Sequence, residues 1–347
     1  MTMRTPVTVL TGFLGSGKST LLSQLLRDPR FSDTAVIINE FGEVALDGAL
    51  VAHAADQIVQ TTTGCLCCTV RGDISRALLL LAARSDAGEL PAFARVAIET
   101  TGIADPAPVL QTLMRDPRLA RRFVLAGVVT TVDAVTGEAT LGRQTEALRQ
   151  VAVADRIVVT KTDLARDPAS RRDVERLSAA LRALNPGAVI VDRHEPDFDL
   201  RALFALPAFD PAAKTMDVRA WLNAGAFDAP DDHRHHHHHH DVNRHGDVRA
   251  FCVTLEDPVA TGPFTTALEL LIARHGEHLL RVKGIACLKE RPERPVAFHG
   301  VQHVFHDPMI LDAWPDQDRR TRMVFITRGL GDAPVRAFFK AWAAAEA

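Results

Sequence analysis

A surplus of basic residues is missing from this chain: 40 Lys and Arg stand against 43 Asp and Glu, a net charge of −3. Such a balance offers no excess of cations to displace the counterions of a phosphate backbone, so no nucleic-acid partner is expected. Long apolar runs are also missing. No stretch reaches eighteen apolar residues, which argues against a membrane span. The residues ahead of Val7 lack the apolar core of a secretory signal. Cysteine is scarce, five in 347 residues, and three of the five crowd into Cys65–Cys68. Neighbours that close cannot staple distant parts of a fold, so metal or redox chemistry in a cytoplasmic protein is the expectation. What remains is 47% hydrophobic and 24% charged, enough apolar material for more than one core.

Apolar runs at 7–10, 35–38, 57–60, 95–99, 123–132, 156–160 and 188–191 read as strands. Helical patterns at 18–27, 72–84, 106–115, 143–153 and 168–184 fall between them. That alternation predicts an α/β fold, a mostly parallel sheet with helices on both faces. Residues 207–247 break the pattern with Pro207, Pro211, Pro230 and a run of histidines, a composition that cannot bury apolar area. Beyond it, strands at 248–255, 284–289, 295–305 and 321–327 and helices at 263–275 and 332–346 predict a smaller α+β unit. The expected division is residues 1–206, a linker at 207–247, and 248–347.

Gly12–Ser19 reads G-x-x-x-x-G-K-S, placed after a predicted strand and opening a helix. This is the context in which backbone amides wrap phosphates at a helix N-terminus. Gly12, Gly15, Ser16, Gly17, Lys18, Ser19 and Thr20 are the expected phosphate-binding residues. Lys18 is expected at the β- and γ-phosphates and Ser19 on Mg²⁺. Glu99 ends a central strand, facing the Mg²⁺ site by topology, and the Gly102 amide follows near the γ-phosphate. Thr160-Lys161-Thr162-Asp163 follows another apolar strand and has the form of a guanine-reading motif. The Asp163 carboxylate accepts from N1–H and the 2-amine, a donor pair adenine does not present, and Lys161 lies along the base. Thr160 stands where many GTPases carry asparagine. GTP and GDP are the expected nucleotides.

Cys65, Cys67 and Cys68 supply two or three thiolates, strong ligands for Zn²⁺ and other soft or borderline ions. An incomplete protein ligand set suits a site that must release its metal. The chain is similar to the CobW-type family of metallochaperone GTPases, relatives of the nickel-insertion GTPases. The resemblance rests on Thr11–Leu22, Asn39–Glu43, Gly64–Asp73, Glu99–Pro106 and Thr160–Leu164, and extends to the His-rich linker and Val301–Pro308. It implies metal binding by the three cysteines joined by Glu40, catalytic roles for Lys18 and Glu99, and a second base-contacting turn at Asn185-Pro186. Glu40 and Asp47 fall where that family's switch segment runs.

The run His235, His236, His237, His238, His239 and His240 lies inside the chain between acidic stretches, so it is read as native rather than as a tag. Imidazoles there bind Zn, Ni, Co or Cu loosely and gather or buffer metal. His299, His303 and His306 form a weaker cluster. The function expected is GTP-driven delivery of zinc to a client metalloprotein. Cobalt handling for cobalamin synthesis or activation of one metalloenzyme stays open, as does a nucleotide-regulated metal store. No membrane partner is expected, and a homo-oligomer is left open.

Overall fold

The structure, a computed structural model, describes residues 4–39, 58–60, 69–204, 222 and 247–345. Seven parallel strands form the first sheet, in the order β3-β2-β4-β1-β5-β6-β7. They are β1 (Thr5–Gly12), β2 (Thr34–Asn39), β3 (Ile58–Gln60), β4 (Arg95–Thr100), β5 (Phe123–Asp133), β6 (Arg156–Thr160) and β7 (Val189–Asp192). Helices α1 (Lys18–Arg27), α2 (Thr69–Asp86), α3 (Ala107–Arg115), α4 (Pro117–Ala120), α5 (Gly137–Arg143), α6 (Thr145–Ala152), α7 (Pro168–Leu184) and α8 (Leu200–Phe204) connect or follow them.

The strands are apolar along their length because both faces are covered. Successive side chains alternate between two cores. Val7, Val9, Ala35 and Ile37 pack with α2 and α3, whereas Leu10, Val36 and Ile38 pack with Leu21, Leu22 and Leu25 of α1. Helix α7 starts where the sequence provides an N-cap: Asp167 accepts from the amides of Ala169 and Ser170, and Pro168 occupies the first turn. Strand order reverses around β1, with β4 on one side and β5 on the other. A crevice at the carboxyl edge of β1 is the usual ligand position in such a sheet.

A second, antiparallel sheet follows: β8 (Val248–Leu255), β9 (Leu279–Ala286), β10 (Val296–Val301), β11 (Val304–Phe305), β12 (Met309–Ile310) and β13 (Thr321–Arg328). Helices α9 (Thr261–His275) and α10 (Asp332–Ala345) accompany it. One face packs Phe251, Val282 and Phe325 against Phe264, Leu271 and Phe339 of these helices. The other face meets the first sheet's helices, with Leu280 and Ile326 joining Val151, Leu177 and Leu181 in one core.

The strand expected at 284–289 is displaced. β9 spans Leu279–Ala286 and all eight of its residues are buried. Arg281 and Lys283 of this strand are both buried on Asp155, which lies just ahead of β6. The strand-like run at 295–305 breaks into β10 and β11 at Gln302, whose φ of 53° is left-handed. The helix expected at 143–153 is α6, preceded by a separate helix α5.

Candidate nucleotide site

The loop between β1 and α1 depends on three glycines at positive φ: Gly12 at 141°, Gly15 at 72° and Gly17 at 93°. Side chains rarely adopt these angles. At Gly12 a Cβ would also collide with the Thr131 hydroxyl and carbonyl. Lys18 turns back into the loop, donating to the carbonyls of Gly12 at 2.7 Å and Phe13 at 3.1 Å. The ammonium is therefore held over a cradle of backbone, buried and aimed where phosphate charge would sit. Ser16 shares a 2.6 Å hydrogen bond with Thr131, tying the loop to β5.

Ser19 donates to Glu99 Oε1 at 2.9 Å. Register explains the meeting, since Glu99 of β4 pairs with Leu10 of β1 at the carboxyl edge of the sheet. A hydroxyl and a carboxylate are hard oxygen donors, so this pair fits Mg²⁺, which keeps few protein ligands beside phosphate and water. Gly102 lies against the loop from the other side: a Cβ there would come within 2.8 Å of the Leu14 backbone.

The base motif approaches the same loop. Thr160 is fully buried, and its hydroxyl donates to the Ser16 carbonyl at 2.8 Å. Threonine in place of asparagine thus still anchors this motif to the phosphate loop. Lys161 adopts a left-handed φ of 61° and its ammonium meets Asp133 Oδ2 at 2.6 Å. Burial alone would raise the Asp133 carboxyl, but Lys161 and the amides of Val135 and Thr136 outweigh it and hold the group below its usual range. Asp163 is half exposed and lies 3.0 Å from Nε2 of His194. The turn carrying His194 is fixed by Asp192, which accepts from the Thr162 hydroxyl at 2.6 Å and the His194 amide at 2.8 Å.

Asn185 lies elsewhere. It precedes β7, whose Val189 pairs with Arg156 at the start of β6, so it sits at the amino edge of the sheet, opposite the phosphate loop. Its amide is buried and donates to the carbonyls of Val151, Ala152 and Ala154 at 2.8–3.3 Å. The expected base-contacting turn is therefore corrected: Asn185 is a core clamp. The turn that does neighbour Asp163 is the one after β7, at Asp192–His194.

Asp133 and His194 escaped the sequence reading. Asp133 was within reach of the rule that singled out Glu99, an acid ending a buried strand. His194 carries no local signal, because its partner lies 31 residues away in sequence. Glu40, Cys65, Cys67, Cys68 and His235–His240 lie outside the described residues. Among the described residues no group of three or more His, Cys, Asp or Glu could hold a metal ion. The weak histidine cluster divides: His299 and His306 stack at 5.2 Å, whereas His303 packs on Gly276. Burial, with His306 next in effect, pushes the His299 imidazole well below its usual value, so it is neutral at pH 7.

Residues 6–192 match the family described as CobW/HypB/UreG, nucleotide-binding domain, and residues 248–343 match the cobalamin synthesis protein CobW C-terminal domain. The chain is 34% identical over 333 residues to the zinc chaperone YjiA of Escherichia coli, covering 96% of this chain and 97% of that protein. It is 30% identical over 362 residues to the zinc chaperone CobW of Pseudomonas aeruginosa, covering 95% and 89%. The crystal structure of Zn(II)-bound YjiA GTPase from E. coli superposes with a TM-score of 0.73 at 30% identity, over 98% of this chain and 99% of that one. With a glycine cradle, a Ser19–Glu99 pair and a base motif converging on one edge of a parallel sheet, this chain belongs to the CobW/HypB/UreG family of P-loop GTPases and carries its CobW C-terminal domain.

Proposed function

We propose that the chain is a metallochaperone that hydrolyses GTP on Mg²⁺ to deliver zinc to a client metalloprotein. The observation that carries this reading is the register of β2 and β3. Ile38 pairs with both Gln60 and Glu99, so both strands end at the edge that holds Ser19 and Glu99. Glu40 follows β2 directly, and the stretch to Cys65, Cys67 and Cys68 leaves from the end of β3. The proposed zinc ligands are thus joined to the same sheet edge as the phosphate site. Thiolates with one carboxylate suit zinc, and they suit a cargo that has to leave.

When bound, Mg²⁺ would supply charge neutralisation at the phosphates. Lys18 adds a second positive charge, Ser19 and Glu99 hold the metal side, and the Gly102 amide faces the γ-phosphate. Lys161 and Asp163 hold guanine. Residues 207–247 act as a His-rich linker that gathers metal between domains 1–206 and 248–347. The cytoplasm is the proposed compartment, in keeping with the absence, among the described residues, of any helix long and apolar enough to cross a membrane.

Zinc affinity, measured by competition with a chelating dye in nucleotide-free, GDP and non-hydrolysable GTP states, tests the proposal. Coupling requires the affinities to differ by about 5- to 150-fold between states, and zinc must change nucleotide affinity by the same factor. Identical affinities in all three states would favour a metal store over a chaperone.

A further inference from the structure

We propose that Gln150 is a positioning residue for GTP hydrolysis, whose buried amide clamps the turn that carries the Gly102 N–H; this rests on the GTPase reading above. Gln150 is fully buried in α6. Its Nε2 donates to two carbonyls of the turn after β4, Gly102 at 3.2 Å and Ala104 at 3.0 Å. The neighbouring Arg149 holds the same turn through Asp105, at 3.0 Å. Helix α6 is itself fixed to the sheet, because the Thr130 hydroxyl of β5 donates to the Gln150 carbonyl at 2.8 Å.

A glycine has wide freedom in φ and ψ, so nothing in Gly102 itself aims its amide. The plane before it carries the Thr101 carbonyl, which accepts from the Ala104 amide at 3.1 Å. The plane after it pairs the Gly102 carbonyl, which accepts from Gln150, with the Ile103 N–H. In a trans peptide the N–H points opposite to the carbonyl of the same plane. The Ala104–Thr101 bond therefore aims the Gly102 N–H, and Gln150, holding Gly102 and Ala104 by their carbonyls, keeps the turn in the shape that makes this bond. The turn also lies flush on the phosphate loop, where a Cβ on Gly102 would come within 2.8 Å of Leu14. A donor fixed before the γ-phosphate arrives needs no reorganisation during reaction, which is where preorganised amides gain their effect.

A core role alone would affect stability and every nucleotide alike. A positioning role affects only states that contain a γ-phosphate. Gln150→Met keeps length and apolar bulk while removing both donors. Expected is a fall in kcat of about 10-fold or more, toward the ~10²- to 10³-fold seen when such a donor is deleted outright. Affinity for the non-hydrolysable GTP analogue should fall while GDP affinity stays within about two-fold, since GDP lacks the group that Gly102 meets. Wild-type kcat, or equal losses for GDP and the analogue, overturns the inference and leaves the GTPase reading intact. Failure of the wild-type chain to bind GDP or hydrolyse GTP sinks that reading instead. Should Gln150→Met not fold, Arg149→Met tests the same turn from its more exposed side: kcat must fall with GDP affinity retained, and an unchanged kcat rejects the clamp.

Discussion

Replacing Asp155 with alanine and replacing Lys283 with methionine should move stability in opposite directions, although both residues belong to one ion cluster. Asp155 Oδ1 meets Arg281 at 2.6 Å and Lys283 at 2.9 Å, and Oδ2 accepts from the Val128 amide at 2.9 Å. Arg281 also donates to the Val153 carbonyl, so this cluster pins β9 of the second sheet to the entrance of β6. All three side chains are at least 87% buried, with exposures of 13%, 6% and 9% for Asp155, Arg281 and Lys283. Burial works against each charge. At Asp155 the two cations win, holding the carboxyl well below its usual range. At Lys283 burial wins, and the ammonium is pulled down to about 8 despite the carboxylate beside it.

Asp155→Ala strands two buried cations, and breaking a buried pair in this way costs about 3–5 kcal/mol. With a urea m-value of roughly 3 kcal/mol/M, the unfolding midpoint should fall by about 1–1.7 M. Lys283→Met removes the charge that burial penalises and leaves Asp155 its bonds to Arg281 and Val128. Because Asp155 keeps Arg281 and burial outweighs the carboxylate at Lys283, the charged lysine is a net cost at pH 7, so the midpoint should hold or rise. The pH dependence follows from the two shifts. Asp155 has a folded-state pKa below that of the unfolded chain, so its contribution is present above about pH 4 and is lost as pH falls further. Lys283 titrates near 8 when folded and 10.5 when unfolded. Between those values the unfolded chain holds more protons, so wild-type stability gains as pH rises and the methionine advantage shrinks. Urea titrations at pH 7 and pH 9.5 read both effects. Equal destabilisation by the two variants at pH 7 would refute the reasoning, because it would mean that Lys283 is a needed partner.

The same cluster marks where sequence reading ran short. Buried parallel strands show as continuous apolar runs, so β1, β2, β4, β5 and β6 were located within a residue or two. The register of β9 was not, because an arginine and a lysine inside a buried strand make sense only with Asp155 in view, more than 120 residues earlier. The site divides likewise. Gly12, Gly15, Gly17, Lys18 and Ser19 form a local pattern with a local cause, positive φ and a helix start, and were legible. Glu99 was legible from strand polarity. Gln150 clamps a turn in another segment, and glutamine in an amphipathic helix gives no hint of that. Asn185 was misread because an Asn-Pro pair resembles a base-contacting turn in words, whereas its place before β7 sends it to the wrong edge of the sheet.

Asp163→Asn should weaken GTP and improve binding of xanthosine triphosphate, since the amide presents a donor where guanine requires an acceptor and xanthine offers a carbonyl. Competition binding with both nucleotides checks it, and unchanged GTP affinity would remove Asp163 from the base site. Asn185→Ala should do the reverse, lowering stability and leaving the nucleotide alone. Its amide serves three buried carbonyls, those of Val151, Ala152 and Ala154, and alanine leaves them without that donor at a cost of about 1–3 kcal/mol. Those carbonyls lie at the end of α6 and in the turn before β6, a full strand length from Lys161. Thermal unfolding should therefore shift down while GDP affinity at a temperature where the variant is folded stays at the wild-type value. A selective loss of guanine nucleotide binding, with unfolding unchanged, would return Asn185 to the base site and require β7 to pair in a different register.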